Sequence, residues 1–328
     1  MNMKNLQLRL IALFFIHALF LTACFFTASP TPERPPLRLI YDLWPGYLPI
    51  IIAQEKGFFD QQGVNVETLV TENASEKIAD FNAGKADGIT LALGNVMISS
   101  ADNPNAHIIF AIDRSAGADA VVAQPQTKKV SDLKGKSIGT SVGGFNELFV
   151  TQMLEANNLT LEDVTLVNVE GENVPELVEN GKIQAGSTWE PFVSQAIALG
   201  LNVLFTSAET PGLIPDVMVF QGSVLRERPD DVRAFVRAWF QAVDYWKANP
   251  EDGKKIIAQT MKLQPETISL KGYDLLTLND NLKTFVPGNT LESLHYTAQL
   301  YANFFVKTGS LSRQPNINKL LEPSFLQP

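Results

Sequence analysis

The sequence predicts an α/β fold made of two similar halves, completed by a long helical C-terminal stretch. Three observations carry this. From residue 37 to 206, short apolar runs alternate with helix-like segments, the pattern of mainly parallel sheets covered by helices. The order of elements then begins again at residue 137, and a local echo accompanies it. Ala83-Gly84-Lys85-Ala86-Asp87-Gly88-Ile89-Thr90 parallels Asn180-Gly181-Lys182-Ile183-Gln184-Ala185-Gly186-Ser187: a helix stops at Gly, Lys follows, and a strand of small residues starts. After residue 220 the pattern has helical spacing and offers no further sheet.

In the first half, strands are expected at 37–43, 64–70, 89–93, 107–112 and 120–123. Helices are expected at 50–59, closed by Gly57, at 74–83, stopped by Gly84, and from Gly94-Asn95 to Ala101. In the second half, strands fall at 137–141, 164–169, 185–189 and 203–206, with helices at 145–156, 174–180 and 192–199. A last strand-like run, 215–220, leads into the helical region. There Val232, Phe235, Val236, Trp239, Val243 and Trp246 share one face, the stripe of a buried helix. Two further helical stretches are expected near 274–284 and 291–307.

The N-terminus is a separate unit. Lys4 and Arg9 precede an apolar run, Leu-Ile-Ala-Leu-Phe-Phe-Ile-His-Ala-Leu-Phe-Leu, which ends in Leu21-Thr22-Ala23-Cys24. A short basic-then-apolar segment closing on small residues is an export signal, here residues 1–23. A transmembrane anchor is the other reading of the run, which is short for a bilayer span. Cys24 is the single cysteine of the chain and can form no internal disulfide. Leu-Thr-Ala-Cys resembles the bacterial lipobox, which implies cleavage before Cys24 and lipidation of its thiol. Residues 24–36, rich in Pro, Ser and Thr, read as a tether.

The 328 residues are 45% hydrophobic and 19% charged, ordinary for a globular chain long enough for two domains. The formal charge is −9, and losing Lys4 and Arg9 with the signal makes it −11, with no run of five like charges. Nucleic acid is therefore not an expected partner. No Gly-x-Ser-x-Gly elbow, phosphate loop or His/Cys cluster appears, and no carboxylate pair stands out as an acid–base couple. Neither a catalytic residue, a metal site nor a cofactor is expected. His107 opens a strand and His295 lies in a helix, both structural positions.

Parallel sheets bind ligands beyond the carboxyl ends of their strands. Residues following the expected strands are Trp44 and Tyr47; Asn95; Ser115, Gly117 and Asp119; Ser141, Gly143, Gly144, Phe145 and Asn146; and Trp189 with Glu190. Trp44 and Tyr47, set in a Pro/Gly turn that needs no aromatics, offer flat walls for a flat or cationic solute. Plugging the domain surface is the other use for Trp44. Glu190 is placed either to hold a ligand N–H or to pair with the facing half at a hinge, and Asp119, at the crossover, has the same two readings. Gly143-Gly144 before a helix is a turn whose N–H groups would also suit an anion.

With these residues in view, the chain resembles the substrate-binding proteins of bacterial ABC importers, in the group for sulfonates, taurine, nitrate and thiamine-precursor pyrimidines. The matching pieces are Trp44-Pro-Gly-Tyr47, Ala53-Gln-Glu-Lys-Gly57-Phe-Phe, Gly63-Val-Asn-Val, Gly84-Lys-Ala-Asp87, Asp132-Leu-Lys-Gly135-Lys, Trp189-Glu190-Pro191 and the helix ending Ala248-Asn-Pro250-Glu-Asp252. The resemblance implies a two-lobed, type II periplasmic-binding-protein-like fold with two crossover strands. Its lobes would be 37–123 with 215–328, and 124–214, closing on a ligand. It implies a monomer, membrane-held through its lipid and facing the periplasm or cell exterior, which delivers a small molecule to a permease and an ATPase. Ser141-Val-Gly-Gly-Phe145-Asn146 lacks a sulfonate-type Ser/Thr cluster, which favours a flat ligand with donors, such as a pyrimidine or flavin-like ring. A sensor for a membrane signalling protein is an alternative. So is a pyrimidine-precursor enzyme, whose resemblance needs a Cys-rich motif that this chain lacks. The lipobox reading makes a direct prediction: Cys24→Ser moves the protein to the soluble fraction or leaves it unprocessed, as fractionation and gel mobility report.

Overall fold

The alternation of apolar runs and glycine-stopped helices resolves into two separate sheets. The computed structural model describes residues 34–71 and 73–327. The export segment, Cys24 and most of the tether lie outside the described residues. The strands are β1 (Leu37–Tyr41), β2 (Val66–Val70), β3 (Gly88–Ala92), β4 (Ala106–Ser115), β5 (Asp119–Ala123), β6 (Ser137–Thr140), β7 (Thr165–Asn168), β8 (Ala185–Trp189), β9 (Asn202–Thr206), β10 (Pro215–Gln221) and β11 (Tyr273–Leu275).

The first sheet has the order β11-β4-β10-β3-β1-β2 and the second β7-β6-β8-β5-β9. In each, three strands run parallel: β2, β1 and β3 in one, β7, β6 and β8 in the other. Next to the third lies an antiparallel strand that has just arrived from the opposite sheet, β10 in the first and β5 in the second. The echo noted in the sequence falls at the same point of both halves. Gly84 and Gly181 take φ of 72° and 71°, the left-handed turn that ends a helix, and each precedes the third parallel strand.

The chain crosses between the sheets twice, at residues 116–118 and at 207–214. Asp119–Ala123 pairs wholly within the second sheet. The first crossing therefore comes ahead of Ala123, the residue at which the sequence reading placed the boundary.

The helical region differs from expectation in two places. Tyr273–Leu275, read as the start of a helix, instead pairs antiparallel with β4, Tyr273 opposite Ser115. The helix begins only at Leu278, because Thr277 and Asp280 form a reciprocal capping box that fixes its first turn. A helix at Pro250–Met261 continues well past Asp252. Gly253 inside it is a spacing residue, since a Cβ there would lie 2.2 Å from Trp246 Cδ1. Among the described residues, no helix is long and apolar enough to cross a membrane.

The expected stripe on the helix Pro229–Ala248 is fully buried. Its centre is Phe235, whose ring meets Phe59 at 5.7 Å, Phe220 at 5.6 Å, Trp239 at 6.1 Å and Phe110 at 6.3 Å. One ring thus joins this helix to β4, β10 and the helix Phe58–Gln61. Phe235→Ala should destabilise the fold by about 3–5 kcal/mol, the cost of an aromatic-sized cavity. Urea unfolding should show it as a lower midpoint at unchanged slope.

Candidate ligand site

A carboxylate in the middle of an apolar strand must be neutralised or hydrogen-bonded, because burial penalises its charge. Here three come together where the chain crosses between sheets. Asp113 near the end of β4, Asp216 at the start of β10 and Asp119 at the start of β5 are all almost completely buried. Asp113 and Asp216 stand directly opposite each other in the antiparallel register.

Two aromatics of the loop after β1 meet this pair. Trp44 donates its indole Nε1–H to Asp113 Oδ2 at 3.1 Å, and the Tyr47 hydroxyl donates to Asp216 Oδ1. Pro45-Gly46-Tyr47 forms a single 3-10 turn that brings both donors to the pair. Gly46 is required there, since a Cβ would lie 1.5 Å from Asp113 Oδ2. The loop is pinned from behind. Asp42 accepts from the Trp44 backbone N–H at 3.0 Å and pairs with the buried Lys77.

Burial is the main cause that raises all three carboxyls. Asp119 and Asp216 are each pushed from 3.8 up to about 7, and Asp113 well above the ordinary range, with Asp216 as its next-largest influence. Facing acids on adjacent strands titrate together rather than independently. Three buried polar atoms in this neighbourhood have no hydrogen-bond partner: Asp113 Oδ1, Asp119 Oδ2 and the Tyr273 hydroxyl. The Tyr273 ring meets Trp44 edge-on at 4.8 Å, and its hydroxyl is raised by burial and then by Asp119, Glu190, Asp113 and Asp216.

The hinge is built from two hydroxyls. Ser115 and Ser207, one from each crossing, are hydrogen-bonded at 2.7 Å. Ser207 Oγ also accepts from Gly117 N at 2.7 Å, and Ser115 Oγ from Asp119 N at 3.1 Å. The backbone N–H of Asp119 is thus bonded at the first crossing, and its Oδ2 is a buried oxygen without a hydrogen-bond partner.

The remaining expected residues separate into two groups. Trp44 is half-buried against the acid pair, whereas Tyr47 is buried beneath it and works as a donor to Asp216 rather than as a ligand wall. The Trp189 ring covers Gly171, where a Cβ would lie 2.2 Å from Cζ3, and meets Phe192 edge-on at 6.1 Å. Glu190 turns back to its own helix, accepting from Ser194 N and Ser194 Oγ at 3.0 Å each. Its backbone N–H donates to Ala118 O in the first crossing.

Asn95, Ser141, Phe145 and Asn146 lie where the two sheets' helices face each other. A Cβ on Gly94 would lie 2.4 Å from Phe145 Cβ, so the halves touch directly there. In the same loop the N–H groups that would suit an anion are already bonded. Gly143 N donates to Glu147 Oε2 at 2.6 Å, Val142 N to Asn168 Oδ1 at 3.0 Å and Gly144 N to Ser141 O at 3.1 Å. Two hollows lie elsewhere. One of about 500 Å³ is lined by Glu55, Lys56 and Asp252, and one of about 210 Å³ by His295 and Gln299, neither including any strand-end residue named above.

Asp113, Asp216, Tyr273, Lys77, Ser207 and Glu147 were not singled out in the sequence. The available signal was an acidic residue inside an apolar run, as in Ile108-Ile-Phe-Ala-Ile-Asp113 and Pro215-Asp216-Val-Met-Val-Phe.

Two sheets of matching order, crossed twice by the chain, with a hydrogen-bonded hinge beside the strand ends, are the architecture of periplasmic binding proteins. The periplasmic aliphatic sulphonate binding protein SsuA of Escherichia coli superposes with a TM-score of 0.72 over 89% of this chain and 99% of its own, at 14% identity. The chain belongs to the family described as NMT1/THI5 like, whose model matches residues 44–253. A protein of Brucella abortus named only as a binding protein is 24% identical over 298 residues, 88% of this chain and 91% of its own. A 4-amino-5-hydroxymethyl-2-methylpyrimidine phosphate synthase of Saccharomyces cerevisiae is 25% identical over 222 residues, 63% of this chain and 65% of its own, so relatives include both binders and an enzyme.

The raised carboxyls give a signed expectation. Between 3.8 and about 7 the folded protein holds protons on Asp119 and Asp216 that the unfolded chain has released. Their contribution to stability is therefore full below the lower value and is lost as pH rises through the upper one. Calorimetry without added ligand should show a higher Tm at about pH 5 than at about pH 7.5, and Asp119→Asn should flatten the difference.

Proposed function

We propose that this chain is an extracytoplasmic solute-binding lipoprotein that captures a small nitrogen heterocycle bearing N–H donors and delivers it to an ABC importer. One observation carries the choice of solute: Asp113, Asp119 and Asp216, with orphaned oxygens on two of them, gather beside the half-buried Trp44 at the junction of the sheets. Buried acceptors without partners are satisfied by donors, and an indole face suits a flat ring. A sulfonate, as bound by the E. coli neighbour, would meet three carboxyls and a loop in which the N–H groups of Val142, Gly143 and Gly144 are already used.

In this reading the lobes built on the two sheets close about the Ser115–Ser207 hinge. Trp44 is the stacking wall, Asp119 and Asp113 are the acceptors, and Asn95, Ser141 and Asn146 line the opposite mouth. Glu190 sets its helix and does not touch the solute. The kinship with a pyrimidine phosphate synthase supports a heterocycle and raises a second reading, an enzyme, for which a shared-proton carboxyl pair is the relevant observation.

Native mass spectrometry of protein purified without refolding tests both readings. The expected result is one small bound molecule, unchanged after prolonged incubation in excess. Trp44→Ala should weaken its binding by roughly 2–4 kcal/mol, as removal of a buried aromatic anchor does, while Glu190→Gln should leave it within about threefold, since Glu190 is bonded to Ser194. Scattering should show a smaller radius of gyration on saturation. Conversion of the molecule would favour the enzyme, and an unchanged radius with full occupancy would remove the closing cleft.

A further inference from the structure

We propose that Asp113 and Asp216 hold a single shared proton until the solute arrives, and that the solute binds as a cation which takes that proton's place, releasing it to solvent. This rests on the solute-receptor reading above and adds the charge of the solute and its exchange stoichiometry.

The geometry comes first. Asp113 and Asp216 face each other in register on adjacent strands, both buried. Each has one neutral donor, Trp44 Nε1–H for Asp113 and the Tyr47 hydroxyl for Asp216. Two uncharged donors do not neutralise two carboxylates, so the pair in isolation keeps a proton. The groups facing it on every side supply no spare positive charge. From the loop after β1 come Trp44, Tyr47 and Asp42, and from β5 Asp119. Tyr273 adds a phenol and Glu190 a further acid. Among the described residues, the cation named as acting on Asp216 is Lys77, and its ammonium is committed to Asp42. On β4 the neighbouring Arg114 pairs with Asp274 at 3.1 Å.

Two further observations point the same way. Asp119 Oδ2 is a buried acceptor with no donor among the described residues, and its charge acts on Tyr273, which packs on Trp44; the two aromatic surfaces attract a cation. In the half built on the second sheet, Glu147 accepts the Gly143 backbone N–H that an anion would need, and Asp119 of β5 brings an acid from that same sheet. The site is therefore acidic from both sheets.

The exchange balances simply. A monocation enters, one proton leaves, and the charge of the site is unchanged. Below the carboxyls' raised titration range, solute and proton compete, so affinity should rise about tenfold per pH unit and level off above about pH 7. This is opposite in sign to the stability trend expected without solute.

The test uses the full chain and three probes: 4-aminopyridine as a flat monocation, pyridine as its near-neutral isostere, and methanesulfonate as an anion. Titration calorimetry at about pH 6.5 in phosphate and in Tris, which differ in ionisation heat, counts protons. The expected result is selective binding of 4-aminopyridine with release of about one proton, both lost when Asp113→Asn and Asp216→Asn are combined. Infrared spectroscopy in an Asp119→Asn background, which takes away the other raised carboxyl, gives an arm independent of any probe: that variant should show the carbonyl stretch of a protonated, buried carboxylic acid at about pH 6.5, and adding Asp113→Asn and Asp216→Asn should remove it. Absence of that band overturns the shared proton. Binding of 4-aminopyridine without proton release, or tighter binding of methanesulfonate, overturns the exchange. A solute recovered by native mass spectrometry that is neutral or anionic at neutral pH also overturns it, while leaving the receptor reading intact. Chemical conversion of the recovered molecule instead removes the receptor reading.

Discussion

Two buried carboxyl groups set face to face across β4 and β10, whose ionisation burial opposes, are the constraint around which this molecule is arranged. A buried acid pair is tolerable only if its surroundings supply donors and its protons are accounted for. The loop after β1 supplies the donors, and the need to deliver two of them explains its composition. Trp44 and Tyr47 each spend an N–H or O–H on one aspartate, Pro45 and Gly46 shape the turn that aims them, and Gly46 yields its side-chain space to Asp113. Asp42 and Lys77 hold the loop from behind. What begins as an oddity of composition, aromatics in a turn, ends as the satisfaction of buried charge.

The placement of that pair follows from topology. Each sheet accepts an antiparallel strand from the other, and the pair lies on one such strand and its neighbour, beside the Ser115–Ser207 bond that joins the two crossings. Relative rotation of the halves is thus centred close to the acids. In the proposed receptor, a solute bound between them would sense both the crossings and the charge.

Much of the fold was legible because helix stops and strand starts are local. Gly57, Gly84 and Gly181 take the left-handed conformation that their sequence contexts suggest, and the apolar stripe from Val232 to Trp246 is buried as its spacing requires. Tyr273–Leu275 was not legible as a strand, because its pairing with β4 is made across a long chain separation and three residues carry no period. The site was legible only in part for a related reason. The strand-end rule finds Trp44 and Asp119, which follow or begin strands, but it passes over Asp113 and Asp216, which lie inside them. It also promotes Glu190 and Trp189, whose bonding to Ser194 and packing on Gly171 are set by neighbours in space. Strand ends identify where a cleft opens. Which acids are left without partners depends on contacts between the halves, and those are not periodic.

The close approach of Gly94 and Phe145 has a kinetic meaning. Where backbone from one half rests directly on an aromatic from the other, closure is stabilised by the protein itself, in addition to whatever the solute contributes. In the proposed receptor, the dwell time of a captured molecule would then depend partly on this seam. Any side chain larger than hydrogen at position 94 would prop that seam apart and hasten escape, leaving the chemistry of recognition as it was. Residence and selectivity are in this way assigned to different residues, and a lineage could tune one without disturbing the other.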